Sequence, residues 1–314
     1  MNLLPGGNAL LALAAAILWG GGDFTGGMGV KRAGGSLDAG LRIVLLSHAT
    51  SFVVLVAVAY LRGDAAPHGA LLGWGIAAGV AGGLSLTAFY IALSRGAMGA
   101  SAAVSGLLAA AIPAALTLWQ GGPPGLSPLI GFAMAAIAIW LIAAGPTENS
   151  AEREGENSTA RRAECRAARA VARQTKALAI LAGVGFGFYF IALKMANPAG
   201  VIWPMASARI GSLAVCSLML LGLKLRPAKA GEARLLLDRG VVVWALGTAL
   251  LDTSGNLLFV AATRAGRLDV AAVLASLYPA STILLAALAL GEWPTRRQAL
   301  GMAAAALAVV LIAL

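Results

Sequence analysis

Apolar stretches of about 20 residues recur along the whole chain, and this pattern most restricts how it can fold. A helix of that length crosses the roughly 30 Å of hydrocarbon in a bilayer. Each stretch therefore predicts one membrane-spanning helix, and there are ten of them. They lie at residues 8–28, 37–60, 69–93, 99–119, 127–145, 177–195, 201–222, 240–262, 268–290 and 296–314.

These stretches predict helices rather than the strands of a membrane barrel. Inside lipid, only helices and closed barrels satisfy their own backbone hydrogen bonds. Barrel strands have about 10 residues that alternate apolar with polar, whereas the stretches here are longer and do not alternate. Hydrophobic residues make up 60% of the chain and charged residues 11%, too few to cover a soluble domain. We expect an all-α integral membrane protein that crosses the inner (plasma) membrane of a bacterium many times.

The charged residues lie mainly between the apolar stretches and give a formal net charge of +10. Basic residues that flank apolar spans are typical of membrane proteins, and the chain lacks the interleaved aromatic and basic residues of a nucleic-acid surface. We expect contacts with membrane lipids and none with nucleic acid. The orientation stays open: Lys and Arg concentrate in the odd-numbered connections, which places both termini outside, whereas the family resemblance described below implies cytoplasmic termini.

One connection, residues 146–176, is much longer than the others and divides the chain nearly in half. Its acidic first part precedes a second part, residues 160–177, that is rich in helix-forming residues. Five basic residues with helical spacing share one face of that second part: Arg162, Arg166, Arg169, Arg173 and Lys176. This stripe is typical of a helix that lies on anionic lipid headgroups, and equally of a solvated linker.

Short matches between the two sides of this connection indicate an internal repeat, with residues 1–145 as one half and 177–314 as the other. The segment Tyr90–Arg95 resembles Phe259–Arg264. With five spans in each half, the second half enters the membrane from the opposite side, so the halves are inverted. Inverted repeats place a substrate path at their interface, and the halves rock about it to give alternating access.

Three motifs carry a resemblance to a known family. They are Trp19-Gly-Gly-Gly-Asp23-Phe24, Leu251-Asp252-Thr-Ser-Gly255-Asn256, and the run from Ser276 through Pro279 to Gly291-Glu292. Apart from residues 146–176, the chain resembles the EamA-type branch of the drug/metabolite transporter superfamily. The resemblance implies ten helices in two EamA-type halves, and export or exchange of small metabolites. The first half departs from the pattern, because it reads Gly122-Pro123 where the second has Gly291-Glu292. We therefore expect Glu292 to have a structural role at a helix end rather than a role in coupling.

Asp252 lies near the middle of a predicted span, where a charged side chain is costly and is a candidate for function. Asn256 follows one helical turn later on the same face, and Thr87 is its counterpart in the first half. We expect this face to line a cavity and the Asp252 carboxyl to bind substrate or a proton. The alternative is a structural ion pair with Arg209 that holds two helices together.

Asp23 stands in a glycine-rich part of the first span. Glycines weaken a helix, and a broken helix that lines a cavity is a common device of transporters. The depth of Asp23 matches that of Arg42 on the next span, so we expect these two to pair; the alternative is a place in the substrate path. Arg42 and Arg209 occupy equivalent positions in the two halves, and we expect both to act structurally.

Three further features complete the candidate residues. Tyr278 precedes Pro279, and a proline kink frees backbone carbonyls at depth, so we expect Tyr278 to line the path. His48 is expected to be a packing residue. The glycines from Gly75 to Gly83 recur at every fourth residue, a spacing that favours close helix packing.

Together these features predict a secondary active transporter. It would export or exchange a small metabolite, an amino acid or a drug-like molecule by alternating access, with protons as one candidate driving ion. The alternatives are a lipid flippase and a membrane-embedded transferase. A transferase needs paired carboxylates, or a His with an acid, near the interface; no such pair recurs, so we do not expect an enzyme. No His or Cys stands at the spacing of metal ligands, and we expect no cofactor.

Overall fold

The structure is a computed structural model, and it describes residues 7–95, 98–121, 126–143, 159–225, 239–265, 275 and 277–313. Over these ranges the chain is helical with short connections and contains no strand, so the all-α fold class is confirmed there. The described helices are α1 (Gly7–Arg32), α2 (Leu37–Arg62), α3 (Gly69–Ser94), α4 (Met98–Gly121), α5 (Leu126–Ala143), α6 (Thr159–Ala196), α7 (Ile202–Lys224), α8 (Arg239–Ala265), α9 (Tyr278–Leu290) and α10 (Arg296–Ala313).

Each of the predicted spans overlaps one of these helices. Within the described ranges, six helices are long and apolar enough to cross a membrane, in α1, α2, α3, α6, α7 and α8. Shorter apolar helices occupy Met98–Pro113, Leu129–Ala138 and Tyr278–Leu290. The predicted span 268–290 lies partly outside the described residues, since its first part is not among them. The count of ten spans therefore stays a prediction.

The second part of the connection predicted at residues 146–176 is not a separate loop. Residues 146–158 lie outside the described ranges, but from Thr159 onward the chain forms α6 without interruption. The expected helix at 160–177 is thus continuous with the sixth span. A helix of 38 residues is about 57 Å long, so its basic end extends well beyond the hydrocarbon. Arg166, Arg169 and Arg173 are exposed there, so they can contact either solvent or lipid headgroups, and both interpretations of the stripe stay open.

Small residues bring α3 and α7 into close contact. A Cβ atom at Gly79 would collide with the Ala208 carbonyl oxygen, and one at Gly211 would collide with the Ile76 carbonyl oxygen. At Gly83 the nearest atom would be the Ser212 Cβ, only 2.8 Å away. The prediction that the α3 glycines serve close helix packing is confirmed at these positions.

Helix packing follows a reciprocal order between the two halves of the chain. Helix α1 of the first half packs on α8 of the second, and α6 of the second half packs on α3 of the first. Helix α2 packs on α7, and α5 packs on α10. Counted from the start of each half, the first helix of one half packs on the third helix of the other in both directions, and the second and fifth helices pack on their own counterparts. These contacts therefore keep their pattern when the halves are interchanged.

Glu292 acts at a helix end, as the sequence predicts. It follows Gly291, which ends α9 with a left-handed φ of 67°, a conformation that glycine adopts without strain. Its carboxylate accepts a hydrogen bond of 3.2 Å from the backbone N–H of Met98, the first residue of α4. A carboxylate in this place accepts from an otherwise unpaired N–H group, and it is stabilised by the positive end of the helix dipole.

Candidate functional site

A cavity of about 640 Å³, its opening included, lies between the two halves of the chain. Helices α1, α2 and α3 contribute residues to its wall from the first half, and α6, α7, α8 and α9 contribute from the second. Both predicted acids are among them. The lining residues are Trp19, Asp23, His48, Gly79, Gly82, Gly83, Leu86, Phe186, Tyr189, Phe190, Ala208, Arg209, Ser212, Asp252, Asn256 and Tyr278.

Arg209 lies at the centre of a polar network on one side of this cavity. Its Nε donates to the Ser51 hydroxyl at 3.0 Å, and one terminal nitrogen donates to His48 Nε2 at 2.8 Å. The other terminal nitrogen donates to the Asp252 carboxylate in an ion pair. Only 6% of the Arg209 side chain is exposed. The guanidinium is therefore held by three helices, α2, α7 and α8, and is largely withdrawn from the cavity.

His48 is a neutral member of this network. A guanidinium can only donate hydrogen bonds, so His48 Nε2 must accept and cannot carry a proton. The proton is then on Nδ1, which lies 2.6 Å from the Ser212 hydroxyl, and that hydroxyl donates to the Arg209 carbonyl oxygen at 3.0 Å. His48 was expected to be a packing residue; it is buried, but it also lines the cavity and holds Arg209.

Asp252 and its neighbours on α8 extend the network. The Thr253 hydroxyl donates to the Ser51 hydroxyl at 2.7 Å, and the Asn256 amide donates to the Asp252 carbonyl oxygen at 2.8 Å. Asp252 is thus both an ion-pair partner of Arg209 and a cavity residue. The expected place in a cavity wall and the alternative of an ion pair with Arg209 are therefore both found. Whether its carboxylate binds substrate or a proton stays a prediction.

Asp23 differs from Asp252 in having no partner among the described residues. It is half-buried on α1 and faces the cavity, where no hydrogen bond or ion pair of its carboxylate occurs within the described ranges. The expected pair with Arg42 is wrong. Arg42 instead pairs with Asp38, one turn earlier on α2, at 2.6 Å. A partner four residues away on the same helix is available without any packing between helices.

The glycine-rich part of α1 is also not a break in the helix. Helix α1 runs unbroken from Gly7 to Arg32. A Cβ at Gly20 would collide with Ser281 on α9, and one at Gly26 would collide with the ring of Tyr90 on α3. These glycines are therefore sites of close packing, and the packing offsets the conformational freedom that glycine brings to a helix.

Aromatic rings form the wall of the cavity next to Asp23. Trp19 lies one turn before Asp23 on α1, with its ring centroid 5.2 Å from that of Phe259 and 6.2 Å from that of Tyr278, to which it is edge-on at 88°. Phe190 lies 6.5 Å from Trp19 and 5.3 Å from Tyr189. The cavity wall thus combines charged side chains with a cluster of aromatic rings.

Two residues predicted for the path have different positions. Tyr278 lines the cavity, but Pro279 stands in the first turn of α9 and begins that helix rather than kinking it. Thr87 is buried outside the lining, and its hydroxyl donates to the Gly83 carbonyl oxygen at 2.8 Å. The same hydroxyl lies 3.9 Å from Cys216 Sγ on α7, so the Thr87 side chain is part of the contact between α3 and α7.

Several residues of the cavity and its network were not selected from the sequence. Trp19 stands one turn before Asp23 in the motif that carries the family resemblance, and these were the signals available for it. Tyr189 is one of several aromatic residues that could line a path or lie at the membrane interface, Phe190 stands beside it in an apolar run, and Ser51 and Thr253 resemble ordinary helix hydroxyls. No group of three or more His, Cys, Asp or Glu suited to a metal ion occurs among the described residues.

Comparisons with known proteins agree with this fold. Residues 175–314 match the model of the EamA-like transporter family, so the resemblance noted in the sequence is confirmed there. A solved structure described only as "Crystal structure of protein" superposes with a TM-score of 0.58 at 15% identity, over 98% of this chain and 96% of that chain. At such identity the likeness shows the fold alone, and it extends over both halves. No curated protein matches the chain.

Proposed function

Because residues 175–314 match the model of the EamA-like transporter family, we propose that the chain is a secondary active transporter. It exports or exchanges a small metabolite, an amino acid or a drug-like molecule by alternating access. We place it in the inner membrane of a bacterium. The family indicates a membrane transporter of the drug/metabolite type, while the driving ion, the mechanism and the substrate are part of this proposal.

One observation carries the proposal: a cavity with ionised side chains lies between the two halves, among helices apolar enough to cross a membrane. Charged groups at membrane depth are costly and mark substrate or ion paths. Asp23 comes from the first half, and Asp252 and Arg209 come from the second. A site built from both halves can open to either side when the halves move relative to each other.

The reciprocal packing of the helices supports two inverted repeats of five helices each. Helix α1 contacts α8 as α6 contacts α3, and α2 and α5 each contact their own counterpart. A two-fold relation between the halves produces this pattern. If the second half is inserted inverted, the two-fold axis that relates the halves lies in the membrane plane and passes near the cavity. Two alternative packings of the halves, of similar energy, then become available.

Protons are the driving ion that we propose, with the cavity carboxyls as their sites. Asp252 would have to leave its ion pair with Arg209 to take up a proton. Asp23 has no such partner within the described ranges, so it can gain and lose a proton without breaking a contact. The titratable side chains that share its cavity are His48, Tyr189, Asp252 and Tyr278.

Cysteine labelling tests alternating access without knowledge of the substrate. In a background of Cys165→Ala and Cys216→Ala, Phe190→Cys places one thiol at a half-buried position of the cavity wall. The control, His68→Cys, is exposed between α2 and α3 and should react from one face only. We expect an impermeant thiol reagent to reach Phe190→Cys in right-side-out and in inside-out vesicles.

The vesicles must also hold a pH gradient. A permanent pore would likewise allow the thiol to be labelled from both faces, but it would dissipate the gradient. Labelling of Phe190→Cys from one face only would overturn alternating access and would leave a flippase or a membrane-embedded transferase as the better explanation.

A further inference from the structure

We propose that the substrate is an organic monocation with an aromatic or similarly flat apolar part, bound by the Asp23 carboxylate and the Trp19 ring. This inference rests on the proposed transporter function, because it names the class of molecule that the same cavity takes. It depends on three features of the described residues: the charge balance of the cavity wall, the occupation of its arginine, and the surroundings of its free acid.

The charge balance of the described cavity wall is negative when both of its carboxyls are ionised. Asp23 and Asp252 then contribute one negative charge each, and Arg209 contributes one positive charge. His48 contributes none, because its Nε2 accepts from the guanidinium and the ring is therefore neutral. A net charge of about −1 in a low-dielectric cavity attracts a single positive charge and repels an anion.

The arginine is a poor receptor for an anionic group. Each of its three nitrogens already donates one hydrogen bond, to Ser51, His48 or Asp252, so two of its five N–H groups remain. Because the Arg209 side chain is only 6% exposed, a substrate carboxylate would have to compete with Asp252 for it. Such an exchange would leave a second carboxylate unpaired in the cavity, which adds a desolvation cost and gains nothing.

Asp23 offers what a cation needs. Its carboxylate faces the cavity without a protein partner in the described ranges, and the Trp19 ring lies one turn away on the same face of α1. A cation over an indole ring is attracted by the ring's negative face, most strongly when water is excluded. The ring is held in place by Phe259 and by Gly255, where a Cβ would approach the indole to 2.7 Å.

The wall beyond Asp23 selects the rest of the molecule. Phe190, Tyr189 and Tyr278 present aromatic surface to the same space, which suits a flat apolar body. A zwitterion such as an amino acid could place its ammonium on Asp23, but its carboxylate would find only uncharged donors in the wall, such as the Tyr189 hydroxyl and the Asn256 amide, unless it displaced Asp252 from Arg209. The structure therefore favours amines and related cations over amino acids and carboxylic acids.

A matched set of three compounds tests this order of preference on the purified full-length protein. Phenethylamine carries the positive charge, phenylalanine adds a carboxylate to it, and 3-phenylpropionate has the carboxylate alone, all on the same aromatic body. We expect saturable binding of phenethylamine at neutral pH by calorimetry. Phenylalanine and 3-phenylpropionate should bind at least roughly tenfold more weakly. The carboxylate of phenylalanine opposes the charge-assisted contact with Asp23, and 3-phenylpropionate lacks that contact.

Variants then assign the effect to Asp23. Asp23→Asn should weaken phenethylamine binding by roughly tenfold or more, whereas Asp23→Glu should retain most of it. The control Asp64→Asn alters an acid that pairs with Arg62 outside the cavity and should bind like the parent protein. Thermal unfolding of each variant checks that it is folded, and the three-compound series on the parent protein depends on no variant.

The inference is overturned if phenylalanine or 3-phenylpropionate binds as tightly as phenethylamine, or if folded Asp23→Asn binds the amine unchanged. It is also overturned if neither phenethylamine nor the larger cation tetraphenylphosphonium binds saturably. These failures are distinct from failure of the transporter function. Amine binding that depends on Asp23, combined with labelling of Phe190→Cys from one face only, would leave the cation site standing and remove the transporter.

Discussion

The ion pair between Arg209 and Asp252 provides the sharpest test of the energetics. Its two side chains are 6% and 21% exposed, respectively, so each is mostly withdrawn from water. Arg209→Met removes the charge but keeps an apolar side chain of similar length. Asp252→Leu removes the other charge in the same way. Each single change leaves its partner charged and buried, whereas the double change leaves neither charge.

The size of the effect follows from these exposures. Removal of one partner of a buried ion pair costs about 3–5 kcal/mol, because the remaining charge is uncompensated. For Arg209→Met we expect the lower part of this range, about 3 kcal/mol, since the Asp252 carboxylate can draw water from the cavity. For Asp252→Leu we expect about 4 kcal/mol, since Arg209 has less access to water. The double variant should lose about 2–3 kcal/mol less than the sum of the two.

The assay is reversible unfolding by SDS in mixed micelles, followed by circular dichroism, for the parent, both single variants and the double variant. The pair Arg42 and Asp38 gives a matched control, because its side chains are 25% and 32% exposed. Arg42→Met and Asp38→Leu should show a coupling energy below about 1 kcal/mol. If the Arg209 and Asp252 variants are additive within about 0.5 kcal/mol, or couple no more than the control, the buried network does not stabilise the fold as argued.

Three other changes test packing and capping. Gly211→Ala should lower the free energy of unfolding by about 1–3 kcal/mol, because its methyl group would meet backbone of α3. Gly222→Ala, in open space on the same helix, should be neutral or stabilise by up to about 1 kcal/mol; equal effects in SDS unfolding would contradict the close approach. Gly255→Ala should displace the Trp19 ring and weaken phenethylamine binding several-fold with little change in unfolding, and unchanged binding by calorimetry would count against that ring as a contact. Glu292→Ala should cost about 0.5–2 kcal/mol through loss of its bond to the start of α4, and hydrogen exchange should show that helix end fraying.

The sequence predicted those features that depend on local chemistry. The length and apolarity of each stretch predicted a helix near its observed place, and helix propensity predicted the helical second part of the 146–176 connection. The spacing of Asp252 and Asn256 placed both on one face, and both line the cavity. The glycine spacing of α3 predicted a close contact, although it did not identify α7 as the partner.

Partner choice between helices was decided only in the tertiary structure. Hydropathy and helical period do not determine how far each helix rotates or slides against its neighbours, and those two quantities select contacts. Arg42 therefore took Asp38 on its own helix, while Asp23 was left facing the cavity. His48 joined Arg209 for the same reason, and Thr87 was turned away from the space that it was predicted to line. The sequence by itself determined that this chain forms apolar helices with acids at depth. The approach of those helices, set by backbone contacts at glycines such as Gly79 and Gly211, decided which acid is paired and which is free.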